Sequence, residues 1–438
     1  MEQPARAIFD EYHPPAQELV DQCVHCGFCL PTCPTYALWR EEMDSPRGRI
    51  YLIKLGTEGT AQLSDTYVGH FDHCLGCMAC VTACPSGVQY DKLIEATRAQ
   101  IERRYTRTLG DRVIRWMIFA LFPHPGRLRS LAVLLWLYER SGLQALVRRL
   151  RLPAWLPARF HAMESLLPNL SLRALTVRLP RRTPAQGQSR RRVGLLLGCV
   201  QRVFFSDVNW ATARVLAAEG CEVIVPPAQG CCGALMLHAG LEELAARAAR
   251  QLIDVFERAG VDTIVTNAAG CGSCMKEYAH LLRDDPAYAE RAGGFAAKCR
   301  DIAELLMELE PRALRHPLAL RVAYHDACHL QHAQQVHAEP RRLLGSIPDL
   351  EVLEVPDAAL CCGSAGIFNL IEPDAAQQLG DRKVSNCLAT TPDVIVSGNP
   401  GCLLQLAAGL ARVRRPIPVW HTIQVLDASL RGVRLRPP

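Results

Sequence analysis

The sequence predicts a multidomain protein, with a helical cysteine-rich module first, a helical basic connector next and two tandem α/β domains last. Three observations carry this prediction. Two four-cysteine cassettes lie at residues 23–34 and 74–85, an arginine-rich stretch follows, and the rest of the 438-residue chain repeats one strand-and-helix pattern. We place the predicted units at residues 1–100, 101–192, 193–310 and 311–438.

The two cassettes share one spacing of cysteines. In "CVHCGFCLPTCP" and "CLGCMACVTACP" the gaps are two, two and three residues, and a proline follows the fourth cysteine. Gaps of two let backbone turns bring three thiolates onto one face of a cubane cluster, whereas the fourth cysteine binds the other cluster. The spacing therefore predicts two cross-ligated [4Fe–4S] clusters. The ligands are Cys23, Cys26, Cys29 and Cys84 for the first, and Cys33, Cys74, Cys77 and Cys80 for the second.

Structural zinc is the alternative for these cysteines. Zinc sites usually pair two CxxC elements across a loop of about a dozen residues or more, and neither cassette contains such a loop. Residues 35–73, between the cassettes, are too many for a compact bacterial ferredoxin, and their apolar spacing is helical. We therefore expect an α-helical dicluster ferredoxin module, similar to that of succinate dehydrogenase iron–sulfur subunits.

The connector is strongly basic. Residues 103–192 contain 19 arginines, no lysine and three acids, which leaves +16 in a chain whose net charge is +5. Helical apolar spacing predicts amphipathic helices there, and "LPRRTPAQGQSRRR" is typical of a flexible linker. Such a surface favours contact with anionic lipid or with a partner subunit, and the sequence leaves both open. The predicted apolar face contains Trp116, Phe119, Phe122, Leu134 and Trp136.

Cysteine usage and apolar runs indicate the compartment. The chain contains 20 cysteines, and its first residues lack the apolar stretch of a signal peptide. We therefore expect a reducing cytoplasm, where cysteines are metal ligands more often than disulfide partners. The longest uncharged apolar runs are far shorter than the roughly 20 residues of a spanning helix. We expect a peripheral contact with the cytoplasmic face of the inner membrane at most.

The C-terminal part consists of two similar halves. In each half, strands alternate with long helices, which predicts βαβ units and parallel sheets. The matched segments are "RRVGLLLGC" (191–199) with "LRVAYHDAC" (320–328), "GCCGALMLHAG" (230–240) with "LCCGSAGIFNL" (360–370), "DTIVTNAAGCGSC" (262–274) with "DVIVSGNPGCLLQ" (393–405), and "RDIAELL" (300–306) with "HTIQVLD" (421–427).

Each half places cysteines at predicted strand ends, where α/β sheets bind their ligands. The first half has five: Cys199, Cys231, Cys232, Cys271 and Cys274. The second half has four: Cys328, Cys361, Cys362 and Cys402. The first set predicts a further metal centre, with buried structural thiols as the alternative. For the second set, in which Gln405 stands opposite Cys274, a metal centre and buried structural thiols remain open alternatives.

Other residues near these cysteines have weaker signals. Four histidines are candidates for outer hydrogen-bond donors or substitute ligands, and the alternative is an ordinary surface or core histidine. These are His238, His325, His329 and His332. Cys221, Cys299 and Cys387 fall outside the repeated pattern, and we expect them to pack as small apolar residues.

Several catalytic motifs are missing from the sequence. We find no dinucleotide fingerprint, P-loop, HExxH helix or nucleophile elbow. Iron–sulfur clusters move one electron at a time, whereas oxidation of an alcohol needs a flavin or nicotinamide that takes two. The sequence therefore predicts an electron-transfer subunit without catalytic residues, and it places the flavin in a separate chain.

Two [4Fe–4S] cassettes followed by two Cys-Cys-Gly (CCG) domains resemble the iron–sulfur subunits of glycolate oxidase, and also the iron–sulfur subunit of anaerobic glycerol-3-phosphate dehydrogenase. The resemblance covers nearly the whole chain, and "MDSPRGRIYLIK", "LGCVQ" and "SGNPGCLLQ" are closer to the glycolate oxidase subunits. In "SPRGRI", Arg47 and Arg49 either contact a cluster or partner, or are solvated charges at a helix start.

This resemblance implies a complex with two FAD-type flavoprotein subunits. The complex would oxidise glycolate to glyoxylate and D-lactate to pyruvate, and its electrons would leave towards the quinone pool. The resemblance also implies one or two non-standard iron–sulfur clusters in the CCG domains. The alternatives are another flavin-linked dehydrogenase, for glycerol 3-phosphate or lactate, and a heterodisulfide-reductase-like enzyme, which Gln405 disfavours. A nucleic-acid partner is not expected, because the arginine-rich stretch lacks a recognisable binding module.

Overall fold

The computed structural model describes residues 8–149, 158–167 and 176–435. Within these ranges the first module consists of helices and turns around the two cassettes. Its helices begin at strong local signals: Ser45 and Ser64 cap the backbone N–H groups of Gly48 and Tyr67. The helices are Gln17–Asp21, Pro34–Trp39, Pro46–Thr57, Asp65–Asp72, Ala79–Thr82 and Tyr90–Arg104, with a 3-10 turn at Glu42–Asp44.

The connector is helical where it is described. Parts of it, residues 150–157 and 168–175, lie outside the described residues. Its buried side chains Ile118, Leu128 and Ala132 pack onto the rest of the molecule, and Leu128 contacts Val203. Among the described residues no helix combines the length and the apolar character that crossing a bilayer requires. The helices are Leu109–Leu121, Pro125–Arg140, Leu143–Arg149 and Ala158–Ser165.

Each CCG repeat contains a parallel sheet of the predicted βαβ type. The strands are β1 (Arg182–Thr183), β2 (Arg191–Leu195), β3 (Cys221–Ile224), β4 (Thr263–Thr266), β5 (Cys299–Asp301), β6 (Leu320–His325), β7 (Leu350–Leu353), β8 (Val394–Ser397) and β9 (Val419–His421). The first sheet has the order β1-β3-β2-β4-β5 and the second has β7-β6-β8-β9. Of these nine strands only β1 is antiparallel to its neighbour.

Helices connect these strands in both repeats. In the first repeat they are Gln201–Phe204, Ser206–Ala218, Ala234–His238, Glu242–Ala259, Ala269–Lys276, Tyr278–Leu281, Ala289–Lys298 and Ile302–Glu308. In the second repeat they are Ala338–Gly345, Phe368–Ile371, Pro373–Ala389, Pro400–Arg412 and Thr422–Leu430, with a π-helical turn at His329–Ala333.

Two sequence predictions need correction. The stretch predicted to be a flexible linker contains β1, which pairs antiparallel with β3 and extends the first sheet. The match of "RDIAELL" with "HTIQVLD" is wrong by one residue. Asp301 and His421 are the equivalent residues, because each forms a capping box with the residue three positions on, Glu304 and Gln424 respectively.

The two CCG repeats share one hydrophobic core. Val193 and Val223 of the first sheet belong to the same buried cluster as Val322 and Trp420 of the second. An ion pair spans the repeats, because the Arg214 guanidinium donates to both carboxylate oxygens of Asp427 at 2.7 and 2.6 Å. The repeats are therefore packed against each other as a pair, and their cysteine-bearing strand ends have fixed relative positions.

Candidate metal centres

The first cassette site lies near the surface. Its four predicted ligands line one cavity, together with Cys80 of the second set. The Cys26 side chain is exposed and those of the other three are half-buried. Gly27 adopts a φ of +86°, and a Cβ at this position would lie 2.7 Å from the Arg47 guanidinium. The tight turn of the cassette therefore depends on glycine, and it brings Arg47 against the thiol-bearing loop.

Arg47 contacts the first cassette, and Arg49 contacts Thr35, directly after that cassette. Arg47 pairs with Glu42 at 2.6 Å and donates to the carbonyl of His25, inside the first cassette, at 3.2 Å. Arg49 is fully buried, lies 3.2 Å from an Asp44 carboxylate oxygen, and donates to Thr35. The "SPRGRI" arginines are therefore structural parts of the two sites and not merely solvated charges at a helix start.

The second cassette site is buried and lies among polar side chains. All four of its predicted ligands are buried: Cys33, Cys74, Cys77 and Cys80. The Tyr90 hydroxyl donates to Cys74 Sγ at 3.5 Å, and Thr35 Oγ1 lies 3.2 Å from Cys33 Sγ. Burial raises the pKa of the Cys74 thiol, but Arg49 and Arg98 together bring that pKa below its usual value. This environment favours thiolate at Cys74, as ligation of iron requires.

The first CCG site gathers five cysteines. Cys231 Sγ lies 3.5 Å from Cys199 Sγ, and the Cys274 thiol donates to the carbonyl of Cys232 at 3.4 Å. Cys271 contacts Cys232 through their thiols. Gly233 turns the chain with a φ of +88°, and a Cβ there would lie only 3.2 Å from the backbone of Ala245 in helix Glu242–Ala259. The turn therefore presents two adjacent thiols to one centre.

The second CCG site repeats this arrangement with different donors. Cys328 Sγ lies 3.9 Å from Cys361 Sγ, and Cys362 contacts Cys402. Ligand atoms of His325, Cys362 and Cys402 all lie within 4.8 Å of one another, and the three residues are buried. Burial, with a smaller effect of Lys383, lowers the pKa of His325 well below its usual value, so the ring is neutral.

The donor chemistry fits iron–sulfur centres. All 20 cysteines, each within the described ranges, are free thiols, so none is engaged in a disulfide. Contact between the thiols and their burial raise the pKa of Cys199 and Cys328 well above the usual value. Four or five buried thiols in contact are favourable as thiolates only if a cation replaces the protons. Cys221, Cys299 and Cys387 are fully buried among apolar side chains, as predicted.

The second cassette site touches the second CCG site. Leu75, Cys77 and Ala79 share a buried cluster with Cys328 and Cys361. A hydrogen bond of 2.8 Å between Thr82 Oγ1 and His332 Nδ1 joins the same two parts. The first repeat meets the ferredoxin module elsewhere, where Arg98 donates to the carbonyl of His238 at 2.9 Å.

The four candidate histidines have different surroundings. His332 uses both ring nitrogens, on Thr82 and on the carbonyl of Ala359. His238 and His329 lie ring to ring at 4.9 Å, and His238 Nδ1 is 3.6 Å from Glu95. His325 alone of the four has a ring nitrogen grouped with two cysteine thiols.

Sequence reasoning missed several residues around these sites. Arg98, Tyr90, Thr35 and Glu95 carry no local signal, because only tertiary contacts bring them to the cysteines. Comparison of the two repeats could have revealed Lys383, because a charged residue there replaces an apolar one. It is fully buried in helix Pro373–Ala389, at the position where the first repeat has Leu252.

Three family models match the chain. A 4Fe-4S dicluster domain matches residues 22–88, a cysteine-rich domain matches residues 193–276 and 322–407, and the linker region of the glycolate oxidase iron-sulfur subunit matches residues 110–167.

Curated relatives match most of its length. The chain is 41% identical to a probable glycolate oxidase iron-sulfur subunit of Bacillus subtilis, over 89% of each chain. It is 38% identical to the glycolate oxidase iron-sulfur subunit of Escherichia coli, over 98% of this chain and 97% of that one. A lactate utilization protein A of Exiguobacterium is 30% identical, over 55% of this chain and 98% of that one.

Proposed function

The chain belongs to the family of glycolate oxidase iron–sulfur subunits, and we propose that it carries electrons from a flavoprotein that oxidises glycolate to glyoxylate towards the quinone pool. It has a 4Fe-4S dicluster domain, a linker and tandem CCG domains, and it binds iron–sulfur clusters. In the proposed complex two FAD-type subunits hold the flavin. D-lactate is a second substrate, a proposal supported by the likeness to a lactate utilization protein.

The observation that carries this proposal is the contact between the second cassette site and the second CCG site. Cys77 packs in one buried cluster with Cys328 and Cys361. Electron tunnelling weakens steeply with distance, so a relay needs neighbouring centres without a solvent gap between them. This contact supplies such a connection between the ferredoxin module and the repeats.

The first cassette site supplies a second requirement of a relay, which is access from outside. Cys26 is exposed, and the neighbouring side chains Val24 and Phe28 are 67% and 65% exposed. An apolar rim around an exposed cluster ligand suits the docking of a redox partner. We assign electron exchange with a partner subunit to this end of the chain.

Anaerobic purification with the two flavoproteins tests this function. Glycolate added to the purified complex should reduce the iron–sulfur clusters, as seen by low-temperature electron paramagnetic resonance (EPR). Clusters that dithionite reduces but neither glycolate nor D-lactate reduces would refute the proposal. Reduction by glycerol 3-phosphate in place of glycolate would identify the related dehydrogenase instead.

We also propose that the connector rests on the cytoplasmic face of the inner membrane. Leu109, Val113 and Trp116 are exposed at helical spacing, and Leu134 and Leu137 are exposed on the next helix. Phe119, Phe122 and Trp136, predicted for this face, instead pack against the protein. Exposed apolar side chains beside exposed Arg112 and Arg127 suit insertion into an anionic headgroup layer.

Ion pairs reduce the charge available for this contact. Many arginines of the basic stretch are paired with acids of the ferredoxin module, of the connector or of the first repeat, so the +16 is not a free surface charge. The pairs are Arg103–Asp10, Arg107–Asp72, Arg115–Glu102, Arg159–Asp111, Arg182–Glu222 and Arg191–Glu308. We therefore assign more of the binding to the apolar side chains than the sequence suggests.

Liposome flotation of the full chain tests this docking. Binding to anionic vesicles should weaken in Trp116→Ser and persist in Leu314→Ser, a control that alters an equally exposed apolar side chain in the linker between the repeats. If the chain does not float, or if both variants float like the wild type, the connector face belongs to a partner subunit.

A further inference from the structure

We propose that His325 is a ligand of the metal centre in the second CCG repeat, where it compensates for the cysteine that this repeat lacks at Gln405. The inference rests on the proposed function in one respect, namely that this centre is an iron–sulfur cluster of the relay. It assigns a nitrogen donor to a site in which the first repeat has only sulfur.

The position of His325 in the sheet supports the assignment. It is the last residue of β6, one of the two central strands of its sheet, and it pairs with Ser397 of β8. A ligand atom of its ring lies within 4.8 Å of the sulfur atoms of Cys362 and Cys402. The first repeat has Leu196 at this position, a buried apolar residue beside Cys199. Between the repeats, a leucine and a cysteine are thus replaced by a histidine and a glutamine.

The hydrogen bonding of His325 sets it apart from other buried histidines. His325 is 1% exposed, and neither of its ring nitrogens has a hydrogen-bond partner. By contrast, His332 bonds through both nitrogens, and so does His421, to the carbonyl of Asn267 and the backbone N–H of Ile423. A buried unpaired polar group costs about 1–3 kcal/mol. A bound metal would remove this cost.

Gln405 is not available as a ligand. Its amide nitrogen donates to the carbonyl of Ala376 at 2.8 Å, and its oxygen accepts from Asn369 at 3.3 Å. Both polar ends of the side chain are therefore engaged in holding helix Pro400–Arg412 to its neighbours. The residue replaces Cys274 in sequence but not in chemistry.

The proposed donor set changes the charge of the centre. Four thiolates and a neutral imidazole carry one negative charge fewer than the five thiolates of the first repeat. The buried Lys383 lies near Cys361 and Cys362 and donates to the carbonyls of Asp357 and Ala358, where the first repeat has Leu252. Histidine ligation of an iron–sulfur cluster raises its reduction potential. The second centre should therefore accept an electron at a more positive potential than the first.

Three variants of the full chain, purified anaerobically, test the assignment. Cys402→Ala defines the iron and the EPR signal that belong to the second CCG centre. His325→Leu restores the residue of the first repeat and should lose the same iron and signal. His325→Cys should retain iron, because it returns a sulfur donor. Pulsed EPR of the wild-type protein should show a histidine nitrogen coupling to the cluster, and this coupling should be absent from His325→Cys.

The outcomes separate this inference from the proposed function. If Cys402→Ala loses no iron, the second repeat holds no cluster and the relay proposed above fails with it. If Cys402→Ala loses iron but His325→Leu keeps both iron and signal, and wild type shows no histidine coupling, only the ligand assignment is wrong. In that case a buried water shared with Ser397, whose hydroxyl also lacks a partner, would explain the unpaired ring. Unchanged cassette signals in all three variants show that the chain has folded.

Discussion

The two CCG repeats differ in their donors far more than in their fold. Both place a Cys-Cys-Gly turn beside the carboxyl ends of parallel strands, with Gly233 and Gly363 at nearly equal positive φ. Yet the first repeat gathers five thiols, whereas the second gathers four thiols, a neutral histidine and a nearby lysine. Strand ends and glycine turns thus provide the site, and side-chain choice at three positions then sets its chemistry.

The surroundings of the repeats differ as well. The second repeat lies against the buried cassette site through Cys77, whereas the first contacts the ferredoxin module through hydrogen bonds and ion pairs such as Lys92–Glu277. In the proposed relay, the second repeat is therefore the one that exchanges electrons directly with the ferredoxin module. Its more positive potential, as proposed, would favour electron transfer from the first CCG centre to the second.

Removal of a central thiol from the first repeat should have the largest effect. Cys231→Ala should lose iron beyond that of the cassettes and reduce glycolate-dependent electron flow in the assembled complex to background. The matched control is Cys221→Ala, which alters a fully buried thiol of the same repeat outside the site. It should keep its iron and lose only roughly 1–2 kcal/mol of stability. Equal iron and near-normal electron flow in Cys231→Ala would show that its thiols are structural.

Loss of one cassette cluster should affect the repeats unequally. Cys77→Ser and Cys29→Ser should each remove about four irons, because each disrupts one cubane. Only Cys77→Ser should also alter the EPR signal of the second repeat, since only Cys77 packs against Cys328 and Cys361. Identical effects of the two variants on both repeats would contradict the relay order.

The Gln405→Cys variant tests whether a cysteine opposite Cys274 can act as a ligand in the second repeat. The change removes two buried hydrogen bonds, to Ala376 and Asn369, and should lower stability by about 1–3 kcal/mol. It should not add iron, because His325 already completes the site. A gain of iron, or loss of the histidine coupling, would show that the two repeats are interchangeable.

The equivalent helix caps should respond to pH in opposite directions. Burial raises the pKa of Asp301 to about 7 and lowers that of His421 to about 4. Folded Asp301 keeps a proton that the unfolded chain releases, so its contribution to stability falls as pH rises from about 4 to 7. As pH falls, His421 gains a proton in the unfolded chain before it does in the folded chain. Its contribution to stability therefore falls as pH drops from about 6.5 to 4.

Asparagine variants at the two caps test this prediction, because asparagine also caps helices well. The Asp301→Asn variant should lose less thermal stability than the wild type as pH rises. The His421→Asn variant should lose less as pH falls. Each slope is at most about 1.4 kcal/mol per pH unit. If the slope of stability against pH changed with the same sign in both variants, the surroundings of the two caps would not differ as described.

Many of the sequence predictions came from the spacing of residues within short segments. The cassettes, the βαβ pattern and the matched strands are recurring short segments, and three inert thiols were recognised by their place outside the pattern. The one-residue error at Asp301 and His421 arose because two aligned isoleucines matched better than the caps. The contact of Cys77 with the second repeat, the burial of Arg49 and the pairing of Arg107 with Asp72 are tertiary events that no local spacing encodes.

Both CCG repeats, as proposed, hold iron–sulfur centres, which differ in their ligands but belong to one relay. Mössbauer spectra of the anaerobic full chain grown on iron-57, compared with those of Cys231→Ala and Cys361→Ala, provide the sharpest test of this relay. We expect each variant to lose a different component of the spectrum, while the cassette components remain. Spectra and iron content equal to wild type in both variants, with iron confined to the cassettes, would contradict it.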